Sequence, residues 1–386
     1  MRTWCTVSVD NLIYNIEQIK KKVSPNVKLC GVIKADAYGH GAYEIAKELL
    51  KQGFEYLAVA FIDEAVDIRN NGINAPILIL GNTPKDTISE LIEYNVTATV
   101  YDFETAKAIS EEAKKHNTVA KIHIKTDTGM SRIGFLPNSA GIEDIVKISK
   151  LPNIEIEGIF THFACADEEN DNMTKKQFEK FMYIINELKS RGINIPVKHC
   201  CNSAGTIKYP DMQLDMVRLG IILYGMYPSE AKYNIDLKPV MQFKTKVINI
   251  KTLKAGETIS YGATYKLKKD TKVATIAVGY ADGYSRLLSN KGRVLVNGQF
   301  ANILGRICMD QCMIDVTDVN NISIGDDAVL FGTDKNAELP IEELAAKIGT
   351  INYELTCVIN KRVPRCYTKN KAGLKTENYL LPVKSL

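Results

Sequence analysis

Between residues 27 and 224, short apolar runs alternate with stretches of helical period. The runs fall at 27–33, 56–61, 76–80, 97–101, 119–125, 154–161, 197–201 and 216–224. Each has the length and near-continuous apolar character of a strand covered on both faces. Between most of them apolar positions recur every three or four residues, which predicts helices at about 42–52, 63–71, 85–94, 103–115, 140–149 and 174–191. An amphipathic helix over 11–22 precedes this series, with Asp10 as its N-cap and Leu12, Ile13, Ile16 and Ile19 on one face. Eight strands separated by helices predict an α/β fold, a closed (β/α)8 TIM-type barrel, with an open doubly wound sheet as the alternative.

Near Leu237–Val240 the period changes. Strand-like runs broken by glycine turns follow at 247–250, 273–278, 294–296, 313–316 and 328–331, with a short helix near 340–348. We expect a barrel domain over 10–236 and a mainly antiparallel β domain over 237–386. Met1–Val9 reads as a strand belonging to either, and 1–9 can pack with the second domain.

Composition narrows the function. The 386 residues are 45% hydrophobic and 24% charged, as in a globular chain. A net charge of +4 is small against 49 basic and 45 acidic residues, and the lysines are scattered among acids, which argues against nucleic acid or a membrane surface as partner. No apolar run reaches the length of a transmembrane helix, and Met1-Arg2-Thr3-Trp4-Cys5 leads into a polar helical pattern, so a cytoplasmic location is expected. Nine cysteines without a C-x-x-C pair favour neither a disulfide framework nor a metal site. Cys30, Cys200 and Cys357 sit inside apolar strands, and Cys308 and Cys312, four apart without companion ligands of the right spacing, read as packing residues, with oxidation sensitivity as a second reading.

In a barrel, function belongs at the carboxyl ends of the strands, and unusual polar residues gather there. Lys34 closes the first run, and a partly desolvated lysine in that place can attack a carbonyl carbon, which is Schiff-base chemistry. Lys125-Thr126-Asp127-Thr128-Gly129-Met130-Ser131-Arg132 follows the fifth run, Thr161-His162-Phe163 the sixth, and Cys201-Asn202-Ser203-Ala204-Gly205 the seventh; Arg218-Leu219-Gly220-Ile221 lies in the eighth. Singly, each has a bland explanation: His162 as a satisfied core histidine, Asn202-Ser203 as a helix cap. Five at equivalent strand ends form a constellation.

With these segments in place, the chain resembles the alanine racemase family of pyridoxal-phosphate enzymes over nearly its whole length. Ile33–Gly41 matches the family's lysine motif except at Asp36, where asparagine is common. Lys125–Gly134, Thr161-His162-Phe163-Ala164, Asn202-Ser203-Ala204 and Arg218-Leu219-Gly220 match in order. So do Ile259-Ser260-Tyr261-Gly262, Gly279-Tyr280-Ala281-Asp282-Gly283-Tyr284, Gly305-Arg306-Ile307-Cys308-Met309-Asp310-Gln311 and Tyr353-Glu354.

The resemblance implies interconversion of L- and D-alanine, which requires two bases on opposite faces of the α carbon. Lys34 holds pyridoxal 5'-phosphate and serves as one base; Tyr261 is the other. A phenol with an ordinary pKa of about 10 needs cationic neighbours for that work, and the family supplies them through His162 and Arg218. Arg218 is implied to donate to the pyridine nitrogen without giving up its proton, so that Arg218→Glu shifts chemistry towards transamination. The phosphate falls to Tyr38, Ser203, Tyr353 and the amides of Gly220 and Ile221, with Asn202 beside them. Arg132 takes the substrate carboxylate, assisted by Met309 and Tyr280, and Lys125 occupies the place of a carbamylated lysine. No metal is implied.

Because Tyr261, Tyr280 and Met309 lie in the second domain, the resemblance also implies a head-to-tail homodimer with shared active sites. The expected role is supply of D-alanine for peptidoglycan. The alternatives are a serine-preferring racemase, other pyridoxal decarboxylases of the same two-domain plan, and a non-catalytic pyridoxal-phosphate carrier.

Overall fold

The computed structural model describes residues 1–229, 233–370 and 372–381. Residues 230–232 of the expected barrel domain, and 371 and 382–386 of the expected β domain, lie outside the described residues. The chain forms two compact units, one of Ile13–Ala37 with Gly41–Lys238, the other of Met1–Leu12, Tyr38–His40 and Pro239–Leu386.

After β1 (Thr3–Ser8), eight strands follow: β2 (Lys28–Val32), β3 (Tyr56–Val59), β4 (Ile77–Ile79), β5 (Ala98–Val100), β6 (Ala120–Lys125), β7 (Ile154–Phe160), β8 (Val197–His199) and β9 (Met216–Leu219). They pair in parallel as two four-stranded sheets, β4-β3-β2-β9 and β5-β6-β7-β8. A parallel bridge between Leu78 and Thr97 joins β4 to β5. On the other side Asp215 N–H donates to Lys198 O and Arg218 N–H to Cys201 O, both at 3.0 Å, which links β9 to β8. The ring is closed, and the open-sheet alternative is excluded. The strands are shorter than their apolar runs; residues 221–224, for instance, leave the eighth run as a 3-10 turn (Ile221–Tyr224).

Helices lie between the strands where the period predicts them. The first begins at Val9 rather than after Asp10. Its cap is Ser8, whose Oγ accepts from Asn11 N–H at 3.1 Å, while the Asp10 carboxylate accepts from Asn370 N–H. Ser8 stands three residues before the amide it satisfies, which is the spacing a cap requires.

The other unit is a ten-stranded sheet centred on β10 (Met241–Leu253), which pairs antiparallel with β1, Thr271–Ile276 and Asp327–Asp334. Buried and half-buried positions alternate through Met241–Val247, as expected of a strand with one face on a core. β1 also pairs in parallel with Arg365–Lys369. Cys5, Cys30, Cys200, Cys201 and Cys312 are buried thiols, but Cys357 is exposed, at the end of the helix Asn352–Cys357 rather than in an apolar strand. Among the described residues no helix is long and apolar enough to cross a membrane.

Candidate active site

Lys34 follows the end of β2 by two residues. The chain then makes a left-handed turn: Ala35, Asp36, Ala37 and Tyr38 have φ between 52° and 54°. Each such residue costs about 1–2 kcal/mol in an L-amino-acid chain. Local bonds offset that cost. Ala37 N–H donates to Ile33 O at 2.8 Å, Ala35 N–H to Glu64 Oε1 at 2.6 Å, and Gly41 N–H to Asp36 O at 2.9 Å. Strained backbone held in this way is characteristic of functional sites. A carboxylate oxygen of Asp36 accepts from Ala42 N–H at 2.7 Å, at the start of the helix Ala42–Lys51. An asparagine oxygen can accept the same bond, so this contact does not distinguish the two residues.

Arg218, on β9, is buried and gathers the ends of three strands. Its guanidinium donates to His199 Nδ1 at 2.8 Å, Thr161 O at 2.9 Å, Cys200 O at 3.1 Å and His162 Nδ1 at 3.2 Å. The Phe160 ring lies 5.3 Å from it. Burial, then Arg218, Arg132, Lys125 and Lys34 in that order, holds the His162 imidazole well below its usual pKa. The positive charges near it help to keep this histidine neutral and form a field suited to anionic ligands.

Lys125, at the end of β6, is buried and donates to Thr126 O at 2.6 Å. Burial first, and Arg218 second, lower its pKa to about 7. A large share of its amine is therefore neutral and nucleophilic near neutral pH. The loop beyond it is wound around Asp127, whose carboxylate accepts from the amides of Gly129, Ser131 and Arg132 at 2.9, 3.0 and 3.1 Å. The Arg132 side chain itself is exposed. Gln177, fully buried, braces the neighbouring segment by donating to His162 O at 3.0 Å and accepting from Ala164 N–H at 2.9 Å. The linear pattern does not mark Asp127 and Gln177 as bracing residues; one is a loop acid two residues ahead of the Gly129 amide and four ahead of the Ser131 amide, the other a polar residue on a helix's buried face.

Asn202 caps the helix Ser203–Lys208 by accepting from Gly205 N–H at 2.9 Å. Ser203 Oγ accepts from Gly220 N–H at 3.0 Å, so the start of this helix and that of the 3-10 turn Ile221–Tyr224 are brought together. The Gly220 amide, expected to face a phosphate, is given to Ser203. The serine hydroxyl keeps its own proton to donate.

In the sheet unit, the structure brings Tyr261, Arg306, Tyr280 and Met309 together. A Cβ on Gly262 would lie 2.8 Å from an Arg306 nitrogen, and Ser260 Oγ–H donates to Arg306 O at 2.5 Å. Tyr280 N–H donates to Cys308 O at 3.1 Å and Ala281 N–H to Met309 O at 3.0 Å. A Cβ at Gly279 would sit 2.3 Å from both carbonyls, which explains the glycine. Tyr261 is 70% exposed, Met309 53% and Tyr280 42%. Underneath, the fully buried Asp282 carboxylate pairs with Arg2 and, at 2.7 Å, with Arg362, and accepts from Gly279 N–H at 3.0 Å. Tyr38 and Tyr353 also belong to this unit, with ring centroids 6.0 Å apart.

In the barrel unit, a lysine two residues beyond the first strand of the ring, a buried arginine at the ends of three strands and short helices starting there form the strand-end arrangement of a barrel enzyme; the sheet unit by itself carries an exposed tyrosine loop. The residues suit pyridoxal phosphate: Lys34 as amine, Ser203 and the amides beside it for a phosphate, and Arg218 as a donor that keeps its proton.

Comparisons with known proteins narrow this class. The profile of the alanine racemase N-terminal domain matches residues 7–228, and that of the alanine racemase C-terminal domain matches 240–367. An alanine racemase of Clostridium tetani is 50% identical over 380 residues, covering 98% of each chain. The solved alanine racemase of Clostridium difficile 630 has a TM-score of 0.95 at 43% identity, over 99% of both chains. The Bacillus anthracis alanine racemase with bound L-Ala-P has a TM-score of 0.93 at 36% identity, over 98% of both. The chain belongs to the alanine racemase family, and is a pyridoxal-phosphate-dependent amino-acid isomerase.

Proposed function

We propose that the chain interconverts L- and D-alanine with Lys34 and Tyr261 as its two bases, in a cytoplasmic homodimer that supplies D-alanine for peptidoglycan. The observation that carries the reading is the buried Arg218, which donates to His162 Nδ1 and shares the Phe160 ring with Lys125, at 5.3 and 5.5 Å. When bound, pyridoxal phosphate makes the substrate's α proton acidic by taking up the charge left behind.

The chain's own residues do the rest. Lys34 holds the cofactor and exchanges the proton on one face. Tyr261 exchanges it on the other, with His162 and Arg218 stabilising its phenolate form. Arg218 donates to the ring nitrogen and, as a guanidinium, keeps its proton. Ser203, Ile221, Tyr38 and Tyr353 bind the phosphate, with Asn202 fixing Ser203 and Ser203 in turn holding Gly220. Arg132 binds the substrate carboxylate, helped by Met309 and Tyr280. The neutral fraction of the Lys125 amine supports its carbamylation, which would orient Arg132 by charge.

Tyr261, Tyr280 and Met309 are exposed as they stand in one chain. We infer that each active site takes them from a second copy, and that alanine is preferred over serine. The test is racemisation in deuterated water by the pure protein with pyridoxal phosphate, offering L-alanine and L-serine separately. Loss of rotation with deuterium at the α carbon of alanine is expected. Deuterium uptake without loss of rotation would remove Tyr261 as the second base, and faster turnover of serine would favour the serine-racemase reading.

A further inference from the structure

A line of buried polar side chains passes from β7 through β6 and β8 and ends on Arg218 of β9. Glu157 begins it, accepting from Lys121 Nζ at 2.7 Å and lying 3.3 Å from His123 Nε2. His123 Nδ1 is 2.9 Å from His199 Nε2, and His199 Nδ1 is 2.8 Å from the Arg218 guanidinium. The Tyr56 ring lies 6.2 Å from the His123 ring. Tyr56 is on β3 and His123 on β6, strands three apart in the eight-stranded ring, so the contact crosses the interior.

The fold is adapted to hold this line. β7 pairs with β6 through Ile156 opposite Ile122, then Gly158 opposite His123, which leaves Glu157 as the extra residue of a β-bulge. In a regular strand Glu155 and Glu157 would share a face. Here Glu155 is exposed and Glu157 buried. A Cβ on Gly158 would lie 2.4 Å from the His123 ring, so only glycine leaves room for it. The His199 ring stacks on Phe160 at 4.8 Å and 6°.

The direction of every bond is the same read from either end, since the ionised Glu157 carboxylate can only accept and the Arg218 guanidinium can only donate. A guanidinium can only donate, so His199 Nδ1 accepts and its proton is on Nε2. His199 Nε2–H then donates to His123 Nδ1, and His123 Nε2–H donates to Glu157. Both imidazoles are neutral, in agreement with burial lowering both pKa values. Burial alone would raise the Glu157 carboxyl, but His123 and Lys121 hold it at about 2, so it carries a negative charge. None of the bonds that Arg218 makes among the described residues is to a carboxylate.

We propose that Glu157 is a remote positioning residue for Arg218, fixing through His123 and His199 the tautomer that the guanidinium meets and hence its aim at the cofactor ring. This rests on the assignment of Arg218 to that ring. The first test does not: 15N–1H spectra of the histidine side chains in the cofactor-free protein should show His123 and His199 both as Nε2–H tautomers. Either ring as Nδ1–H or as imidazolium overturns the proposal, whether or not the parent racemises alanine.

The second test compares Glu157→Gln, which keeps an acceptor, with Glu157→Leu, which does not. Glu157→Gln should retain both tautomers. Glu157→Leu should lose the His123 Nε2–H signal, move the 15N shift of labelled pyridoxal phosphate at its ring nitrogen, and lower kcat about 10-fold at unchanged KM, the scale of outer-shell losses around liganding histidines. Unchanged His199 and cofactor signals in a folded Glu157→Leu protein would reduce Glu157 to a packing residue. If that variant does not fold, the parent tautomers still decide.

Discussion

The candidate residues of the barrel unit and those of the sheet unit are held in opposite ways. In the barrel, Arg218, Lys125 and His199 are buried, and their protonation is set by burial and by one another. In the sheet unit, Tyr261, Tyr280 and Met309 project from turns and are exposed, held by backbone bonds and by Asp282 beneath. A buried cationic pocket can select charge and hold a cofactor, but its groups have little freedom. An exposed tyrosine on a rigid turn keeps that freedom and lacks an environment until something covers it.

The largest effects should therefore come from the two bases. Lys34→Ala should lower kcat about 10⁴-fold, the upper range for a positioned acid–base group, with the circular dichroism spectrum unchanged. Tyr261→Phe should cost about 10²–10³-fold, measured separately from L- and from D-alanine. It should slow α-deuterium exchange from one enantiomer more than from the other. Equal exchange from both would leave the tyrosine a surface residue and end the contrast drawn here.

Next in size is Asp282→Ala, which leaves Arg2 and Arg362 without their buried partner. The two arginines are part-exposed and Arg362 keeps Asp310, so the loss is that of charge-assisted hydrogen bonds, about 1.5–3 kcal/mol, read as a fall in the denaturant midpoint. Lys125 gives a pH-dependent effect. Its folded pKa is lowered to about 7, so the amine is protonated below that and increasingly neutral above it. Carbamylation, read as the mass of one added carbon dioxide in bicarbonate buffer, should appear above about pH 7 and fade below it. For the bare lysine the folded state gains stability as pH rises from about 7 towards the unfolded value, because the unfolded chain binds more protons there. Asp36→Asn should be smallest, within about 0.5 kcal/mol, since either side chain caps the following helix.

The sequence revealed the barrel better than the sheet. Eight apolar runs with helices between them have one closed solution, and the chain adopts it. Strands Gln299–Leu304, Arg365–Lys369 and Ala372–Glu377 were not predicted, because their outer faces are polar and their pairing partners are distant in sequence. The left-handed turn after Lys34 was missed for a related reason: alanine and aspartate at 35–37 carry no local signal for positive φ, which the surroundings impose. Period-two alternation gives Glu157 the same face as the exposed Glu155; only the bulge buries it. The strand-end residues were legible because they interrupt apolar runs. Asp127, Gln177, Asp282 and Glu157 hold the others in place, and nothing in a linear pattern marks that work.

The account holds that a barrel lysine and a sheet-unit tyrosine act on one substrate from two copies of the chain. The direct test mixes Lys34→Ala and Tyr261→Phe proteins, unfolds and refolds them together with pyridoxal phosphate, and measures alanine racemisation. Random pairing in a shared-site dimer leaves one intact site in half the dimers, so activity should return to about one quarter of the parent value. No recovery, with mixed dimers shown to have formed, would place both bases in the same chain and contradict the account.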